Sequence, residues 1–329
     1  MIEIFPKIYI QKIPLTGNPL KELNCYIIKG EERNLVVDVG FDLKEGKEKI
    51  KKALKELDCS PERTDLFITH AHEDHIGAMN SLREEGCFFN TYISETEAWF
   101  YNDIRVNGLA PQIIQMAKWE GFGEEEGREA FLKHPASSNR GGLPPVSFVT
   151  VREGDQIDLG GFVFRVCIFP GHTMGLAALY EGEKKLLFAG DHILGKITPN
   201  IAFWRLDFDA LGEYIASLKR AYGMDVKHLF SAHRQPVPDM RERIDELLKH
   251  HGRRLSEVLL LLKKSTVPMN VCQVAEKMHW DYAGGDFTKF AITQKWFATG
   301  EAFAHLEHLY QEKTICRENR DGVLVYFIE

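Results

Sequence analysis

The sequence lacks the features that define several protein classes. No two of its six cysteines, Cys25, Cys59, Cys87, Cys167, Cys272 and Cys316, are spaced as CxxC. In a chain of 329 residues they are too scattered for a disulfide framework and read as free thiols of a reducing compartment. No apolar run approaches the ~20 residues that span a bilayer; the longest aliphatic run is Val258–Leu262. The N-terminal stretch MIEIFPKIYI carries Glu3 and Lys7 and has no basic segment followed by an apolar one, so it does not read as a secretory leader. The expectation is a cytoplasmic chain without membrane contact. A basic excess is missing too. Lys and Arg number 41 against 48 Asp and Glu, a formal net charge of −7, which argues against nucleic acid as the main partner. Internal repeats and low-complexity tracts are absent. With 44% hydrophobic and 27% charged residues, the composition is that of an ordinary globular protein of one large domain or two.

Short Ile- and Val-rich runs predict strands at Ile8–Ile13, Cys25–Ile28, Leu35–Val39 and Leu66–Thr69. Between them, Asp42-x-x-Glu45 reads as a capping box before a helical stripe of Ile50, Ala53, Leu54 and Leu57. Strands alternating with helices indicate an α/β fold. From about Ser94 to Pro145 the pattern turns helical, opened by Ser94-x-x-Glu97, with further helical pieces at Ile113–Trp119 and Glu124–His134 and a loop at Pro135–Pro145. This reads as an insertion, 94–145, between two strand-rich halves. Strands resume at Val146–Val151, Phe162–Phe169, Ala177–Tyr180, Lys185–Ala189 and His228–Ser231, with a helix at Leu211–Ala221. Asp239-x-x-Glu242 caps a long helix, and helices at about 240–264, 271–279 and 301–313 lead to two strands turned at Asp321-Gly322. That is the order of a winged-helix domain. The predicted division is 1–239 and 240–329.

The strongest chemical signal is His70-x-His72-x-Asp74-His75, just after a strand. In extended backbone residues i and i+2 point the same way, so His70 and His72 can reach one ion. Asp74 and His75 lie where the chain turns into a helix and can serve a second ion beside the first. Imidazole and carboxylate suit Zn²⁺ or a comparable transition metal. Further ligands are sought at strand ends beside small residues: His172 in Pro-Gly-His-Thr, Asp191 in Ala-Gly-Asp-His, and His233 in Ser-Ala-His-Arg. His192 follows a candidate ligand but would face the other way in a strand. His134, His228, His250, His251, His279, His305 and His308 read as ordinary surface or core polar residues.

Taken together over residues 20–235, with Asn24-Cys25-Tyr26 and Leu35-Val36-Val37-Asp38-Val39-Gly40, these motifs resemble the metallo-β-lactamase-fold hydrolases, including glyoxalase II-like enzymes and lactonases. The resemblance implies an αββα sandwich of two mixed β-sheets flanked by helices. It implies that His70, His72 and His172 hold one metal, that Asp74, His75 and His233 hold a second, that Asp191 bridges them, and that Asp38 orients the histidine cluster. Two divalent ions are expected, zinc first, with iron and manganese as alternatives. Open coordination positions then make a bridging hydroxide the nucleophile, with Asp191 holding the bridge and Asp74 steering the proton to the leaving group. The chain departs from the family's patterns in places: the last histidine usually sits between glycines, and here Ala232 and Arg234 flank it; no Cys sits at a ligand-like position; and His72 stands where flavodiiron proteins carry an acidic residue.

Trp99, Tyr101 and Trp119 of the insertion, with Phe203 and Trp204, either line an apolar substrate pocket or pack the insertion in place. A thioester, ester or lactone is the expected substrate, a small acyl compound; a homodimer is a possible assembly. From residue 240 onward the tail carries 13 basic and 13 acidic residues, so the whole −7 falls on the first part. The third tail helix carries Glu301, Glu307 and Glu312, a face expected to repel phosphates. The fold with a C-terminal winged helix resembles a subgroup that includes an endoribonuclease and carrier-protein thioesterases. Single-strand endoribonuclease activity at the same metal site is therefore the alternative, and a metal-containing regulator the third reading.

Overall fold

The alternation of side chains along each strand serves two cores at once. In the computed structural model, residues 1–133, 141–282 and 285–329 are described; His134 and the predicted loop as far as 140 lie outside them. The first sheet is built from β1 (Ile2–Phe5), β2 (Ile8–Pro14), β3 (Glu22–Lys29), β4 (Asn34–Val37), β5 (Thr64–Phe67), β6 (Thr91–Ser94) and β7 (Val149–Val151), in that spatial order. It is antiparallel as far as β4 and parallel from β4 to β7. The second sheet runs β12–β11–β10–β9–β8, from β8 (Gln156–Asp158), β9 (Val163–Ile168), β10 (Ala177–Glu181), β11 (Leu186–Gly190) and β12 (His228–Ser231). Only β11 and β12 pair in parallel there.

On β3, Leu23, Cys25 and Ile27 join a core with Ile50, Leu54, Met79 and Leu82, which come from α1 (Lys44–Glu56) and α3 (Met79–Glu84), separated by the single turn α2 (Glu73–Ile76). Tyr26 and Ile28 face the other way, into a second core with Phe67 of the first sheet and Phe164, Leu179 and Phe188 of the second. Phe188 lies edge-on to Tyr26 at 5.2 Å and to Phe164 at 5.7 Å. This is the expected α/β architecture, two mixed sheets face to face with helices outside. Its consequence for the site is directional. β4 is parallel to β5, β11 to β12, and β9, antiparallel to β10, runs with β11. The C-terminal ends of β4, β5, β9, β11 and β12 lead into Asp38, His70, His172, Asp191 and His233, where an open α/β sheet offers its binding crevice.

Contacts divide the chain into two units without a single cut at 239. The first comprises Met1–Asn102, Val146–Pro199 and Leu218–Ile244, and the second Asp103–Pro145, Asn200–Ser217 and Asp245–Glu329. Three helices, α4 (Glu95–Asn107), α7 (Ala210–Tyr222) and α8 (Met240–Lys264), pass from one unit to the other. Most of the predicted insertion, including α5 (Ala110–Glu120) and α6 (Glu124–Lys133), belongs to the second unit. There β13 (Met269–Asn270), α9 (Val271–Lys277), α10 (Ile292–Gln311), β14 (Cys316–Arg320) and β15 (Val323–Phe327) follow α8, with the sheet ordered β13–β15–β14. Asp321 and Gly322 both adopt positive φ at the hairpin turn, as a two-residue turn of this kind requires.

Some local expectations give way to tertiary partners. Leu43, not Asp42, caps α1, and no side chain completes the cap; Asp42 instead accepts a hydrogen bond from Ser81 at 2.6 Å and pairs with Lys47 at 2.8 Å. Asp239 does cap α8, accepting from the Arg241 and Glu242 backbone N–H groups at 2.8 and 3.0 Å. The third tail helix begins at Ile292, nine residues before the predicted Glu301. Two of its acidic residues do not form a repelling face: Arg317 and the Tyr326 hydroxyl donate to the buried Glu307 at 2.5 Å each, and Arg254 donates to Glu301 at 3.2 Å. No helix among the described residues is long and apolar enough to cross a membrane, and the six cysteines are free thiols.

Two buried histidines of the second unit generate a prediction. The Glu301 carbonyl can only accept, so His305 donates to it through Nδ1 at 2.7 Å and its Nε2 then accepts from His251 Nδ1 at 3.2 Å. Burial, ahead of the neighbouring imidazoles and Arg254, pushes His251 down to about 2; burial likewise pushes His305 down to about 3. Both folded values lie below the ordinary histidine value, so the unfolded chain binds more protons as pH falls, and stability drops across that window. The denaturation midpoint followed by tryptophan fluorescence is expected to fall from pH 6.5 toward pH 3, and His251→Leu to flatten that dependence.

Candidate metal centre

The strand ends bring five imidazoles and two carboxylates into one cluster. Among the described residues, three groups lie with their ligand atoms within 4.8 Å of one another: His70, His72 and His172; His70, His75 and Asp191; and Asp74, His75 and His233. In the first, His72 Nδ1 is 3.0 Å from His70 Nε2 and 3.1 Å from His172 Nε2. In the third, His233 Nε2 is 3.2 Å from His75 Nε2 and 3.4 Å from Asp74 Oδ2. Asp191 stands between them. Its Oδ2 is 3.6 Å from His75 Nε2 and 3.7 Å from His172 Nε2, and its Oδ1 is 3.5 Å from His233 Nε2.

Local backbone explains these directions. β5 delivers His70 and His72 in extended chain; His72 has φ −70° and ψ 143° and is the N-cap of α2, whose turn carries Asp74 and His75. Gly190, with φ +53°, ends β11 where a Cβ would lie 2.9 Å from both Cβ and Oγ1 of Thr69. Only glycine lets Asp191 approach the β5 loop this closely. Asp38 also takes a positive φ, 58°, a conformation Asp tolerates better than most residues. Arg234 adopts φ 65°, so the chain after His233 takes a left-handed turn without the family's glycine.

Hydrogen bonds set the ring orientations. Asp38 Oδ1 accepts from the Thr69 N–H, and Oδ2 accepts from the Thr69 hydroxyl and from His75 Nδ1, all at 2.8 Å. With its proton given to Asp38, Thr69 Oγ1 accepts from His70 Nδ1 at 3.0 Å. His233 Nδ1 donates to the Glu22 carbonyl at 3.0 Å. When neutral, these three imidazoles therefore present Nε2 lone pairs to the cluster, the tautomer a metal ligand needs. Thr69 and the Glu22 carbonyl were not foreseen from the sequence, and Gly190 was noted only as a small neighbour of Asp191; their partners are distant along the chain or are main-chain atoms.

The electrostatics keep His70 and His72 neutral and Asp74 and Asp191 ionised. Burial, aided by His172, pushes His72 down to about 3, and burial with His75 and His72 pushes His70 well below its usual value. Burial opposes the charged form of His75 as well, but Asp191, Asp38 and Asp74 raise it well above the ordinary range. Burial also opposes ionisation of Asp74, yet His75 and His233 hold it down to about 2. Asp191 is likewise held low by His233 and His75. The donor set fits divalent cations. Two nitrogens bound to one tetrahedral Zn²⁺ at their usual bond lengths stand about 3.3 Å apart, close to the His70–His72, His72–His172 and His75–His233 separations. Asp191 Oδ1 is also buried without a hydrogen-bond partner, an acceptor that a cation would satisfy.

The candidate pocket aromatics are divided between the two units, Trp99 and Tyr101 in the first and Trp119, Phe203 and Trp204 in the second. Phe203 is buried, stacked on Phe303 at 3.9 Å and edge-on to Trp119 at 6.1 Å, so both rings serve the core of the second unit. Tyr101 packs edge-on to Phe148 at 5.7 Å and its hydroxyl accepts from Asn80 at 2.7 Å. Trp99 is exposed on α4, and Trp204 is half-buried in the second unit. His192 lies flat against Phe169 at 4.5 Å, apart from the ligand groups.

A sequence model described as Metallo-beta-lactamase superfamily matches residues 21–233, and one described as Metallo-beta-lactamase-like, C-terminal domain, matches residues 287–328. Hydroxyacylglutathione hydrolase GloC of Haemophilus influenzae is 28% identical over 208 residues, 61% of this chain and 80% of that protein. An acyl-coenzyme A thioesterase of Gallus gallus is 26% identical over 202 residues, 60% of this chain and 65% of that protein. The crystal structure of a metallo-beta-lactamase family protein from Thermus thermophilus superposes with a TM-score of 0.78 at 24% identity, covering 99% of this chain and 100% of the other. Replacing Thr69 by Val keeps the side-chain shape but strips His70 and Asp38 of their shared hydroxyl. Thr69→Val is expected to weaken Zn²⁺ binding about 10- to 100-fold, with Thr69→Ser near wild type, as read by competition with a chromophoric chelator.

Proposed function

The chain belongs to the metallo-beta-lactamase superfamily, and we propose that it is a dinuclear hydrolase of a thioester, ester or lactone. It is a hydrolase of that superfamily; the pair of ions and the substrate class are the proposal. The observation that carries it is Asp191, whose two carboxylate oxygens lie within 3.7 Å of nitrogens from both triads. His70, His72 and His172 would hold one divalent cation, Asp74, His75 and His233 the other, and Asp191 both, with zinc the first choice for imidazole and carboxylate ligands. Bound there, the cations supply Lewis acidity toward the substrate carbonyl and toward the attacking water.

The chain's own groups do the remaining work. His72 and Asp74 are the ligand-set members that keep partial exposure, so substrate meets the cluster on their side. Water adds to the carbonyl carbon, and the carbon–sulfur or carbon–oxygen bond then breaks. The departing thiolate or alkoxide needs the proton that the water gives up. Asp74, held ionised, is placed to accept that proton and pass it on. Asp38 and Thr69 keep His75 and His70 from turning as charge develops. The name of the Gallus gallus relative, an acyl-coenzyme A thioesterase, supports the acyl class.

The test is a panel of acyl-thioesters, lactones, phosphodiesters and unstructured RNA, with His172→Ala as control. Thioester or lactone turnover is expected, reduced at least about 100-fold in the variant. Turnover of RNA alone would replace this reading with a phosphodiesterase. Elemental analysis of protein purified without added metal is expected to find two ions per chain.

A further inference from the structure

Ser94-x-x-Glu97 has the spacing of a capping box, in which a glutamate turns back to the N–H of the capping residue. The structure uses the carboxylate otherwise. Glu97 is 1% exposed. Its Oε2 accepts from the Ala71 N–H and its Oε1 from the Gly175 N–H, both at 2.8 Å. Ala71 lies between His70 and His72, and Gly175 lies three residues after His172. Ser94 reinforces the same contact: its hydroxyl donates to the Gly175 carbonyl at 2.6 Å and accepts from the Glu97 N–H at 3.2 Å. The 172–175 loop sits so close to the start of α4 that a Cβ on Gly175 would lie 2.6 Å from Thr96 Cβ. No comparable clamp from Glu97 reaches the loops of Asp74 or His233 among the hydrogen bonds described.

We propose that Glu97 is a positioning residue that sets the spacing of His70, His72 and His172 by joining the backbones of their two loops. A buried carboxylate is costly unless its oxygens are satisfied, and here each oxygen takes a buried N–H from a different ligand loop. Removing one acceptor leaves one loop's N–H without a partner and frees that loop to shift. The inference rests on the reading that the triads hold cations, and it predicts an asymmetric effect: one ion loosens, the other does not.

The test is titration of the full chain with Co²⁺, following its visible absorption, for wild type, Glu97→Gln and Ser94→Ala. His172→Ala and His233→Ala identify which equivalent belongs to which triad. Glu97→Gln keeps the size but turns an NH₂ toward one of the two N–H donors. Its three-histidine equivalent is expected to weaken about 10- to 100-fold with an altered spectrum, while the other stays as in wild type; Ser94→Ala weakens the same equivalent less. Unchanged affinity for both ions, or equal weakening of both, overturns the proposal. If Glu97→Gln does not fold by circular dichroism, Ser94→Ala decides on the same criterion. A wild-type chain that takes up one ion refutes the dinuclear reading alone, and the clamp is then judged on that ion. A chain that takes up none overturns both.

Discussion

Gathering seven ionisable side chains at one buried strand edge is the constraint on which the rest of this structure depends. Water would solvate them far more cheaply than protein does. The cluster persists because its members are cross-satisfied and externally braced. Asp38 gives both oxygens to Thr69 and His75, Thr69 holds His70, and the Glu22 carbonyl holds His233. Asp38 and Thr69 follow the C-terminal ends of β4 and β5, and Glu22 begins β3, antiparallel to β4, so the fold must bring these ends to one place. The pairings of β3 with β4 and of β4 with β5 do this. The small residues Gly190 and Gly175 let the loops approach without Cβ atoms between them.

The same constraint determines what could be read from the sequence. His70, His72, Asp74 and His75 are neighbours in sequence, and strand alternation followed by a helical turn is enough to give them direction. Asp191 and His233 carry no local signal of that strength; their expected role depended on resemblance to a family. Thr69 and Glu97 were invisible for another reason. A threonine after a strand and a glutamate in a first helical turn have ordinary local explanations, and only partners 31 and 78 residues away, Asp38 for Thr69 and Gly175 for Glu97, reveal the other use. Asp42-x-x-Glu45 misled in the same way, since Ser81 and Lys47 outcompete the cap. The sheets were legible because alternation and apolar runs report burial. β1 was missed because Ile2 and Ile4 are exposed and its residues follow no inward pattern.

The second unit shows where composition stops being informative. An aromatic residue looks the same in sequence whether it lines a pocket or fills a core, and Phe203 and Trp119 do the latter. Charge counts have a similar blind spot. Glu307 contributes to the acidic tally of its helix, yet it is buried against Arg317 and Tyr326. A carboxylate so engaged says little about the field a phosphate would meet. Glu301 and Glu307 are therefore no barrier of free negative charge on that helix.

The candidate ligands are themselves unevenly exposed. His72 and Asp74 keep partial exposure while His70, His75 and His233 are fully enclosed, so the cluster is approached from one side. That side carries one member of each triad. On the proposed reading, a carbonyl arriving there would meet members of both triads together, with Asp74 as the carboxylate on that side. Burial thus does more than exclude water from the cluster: by leaving only these two partly exposed, it fixes the side from which the cluster can be reached. The braces behind the cluster hold the enclosed histidines still, and Glu97 ties down the loop that bears the exposed one.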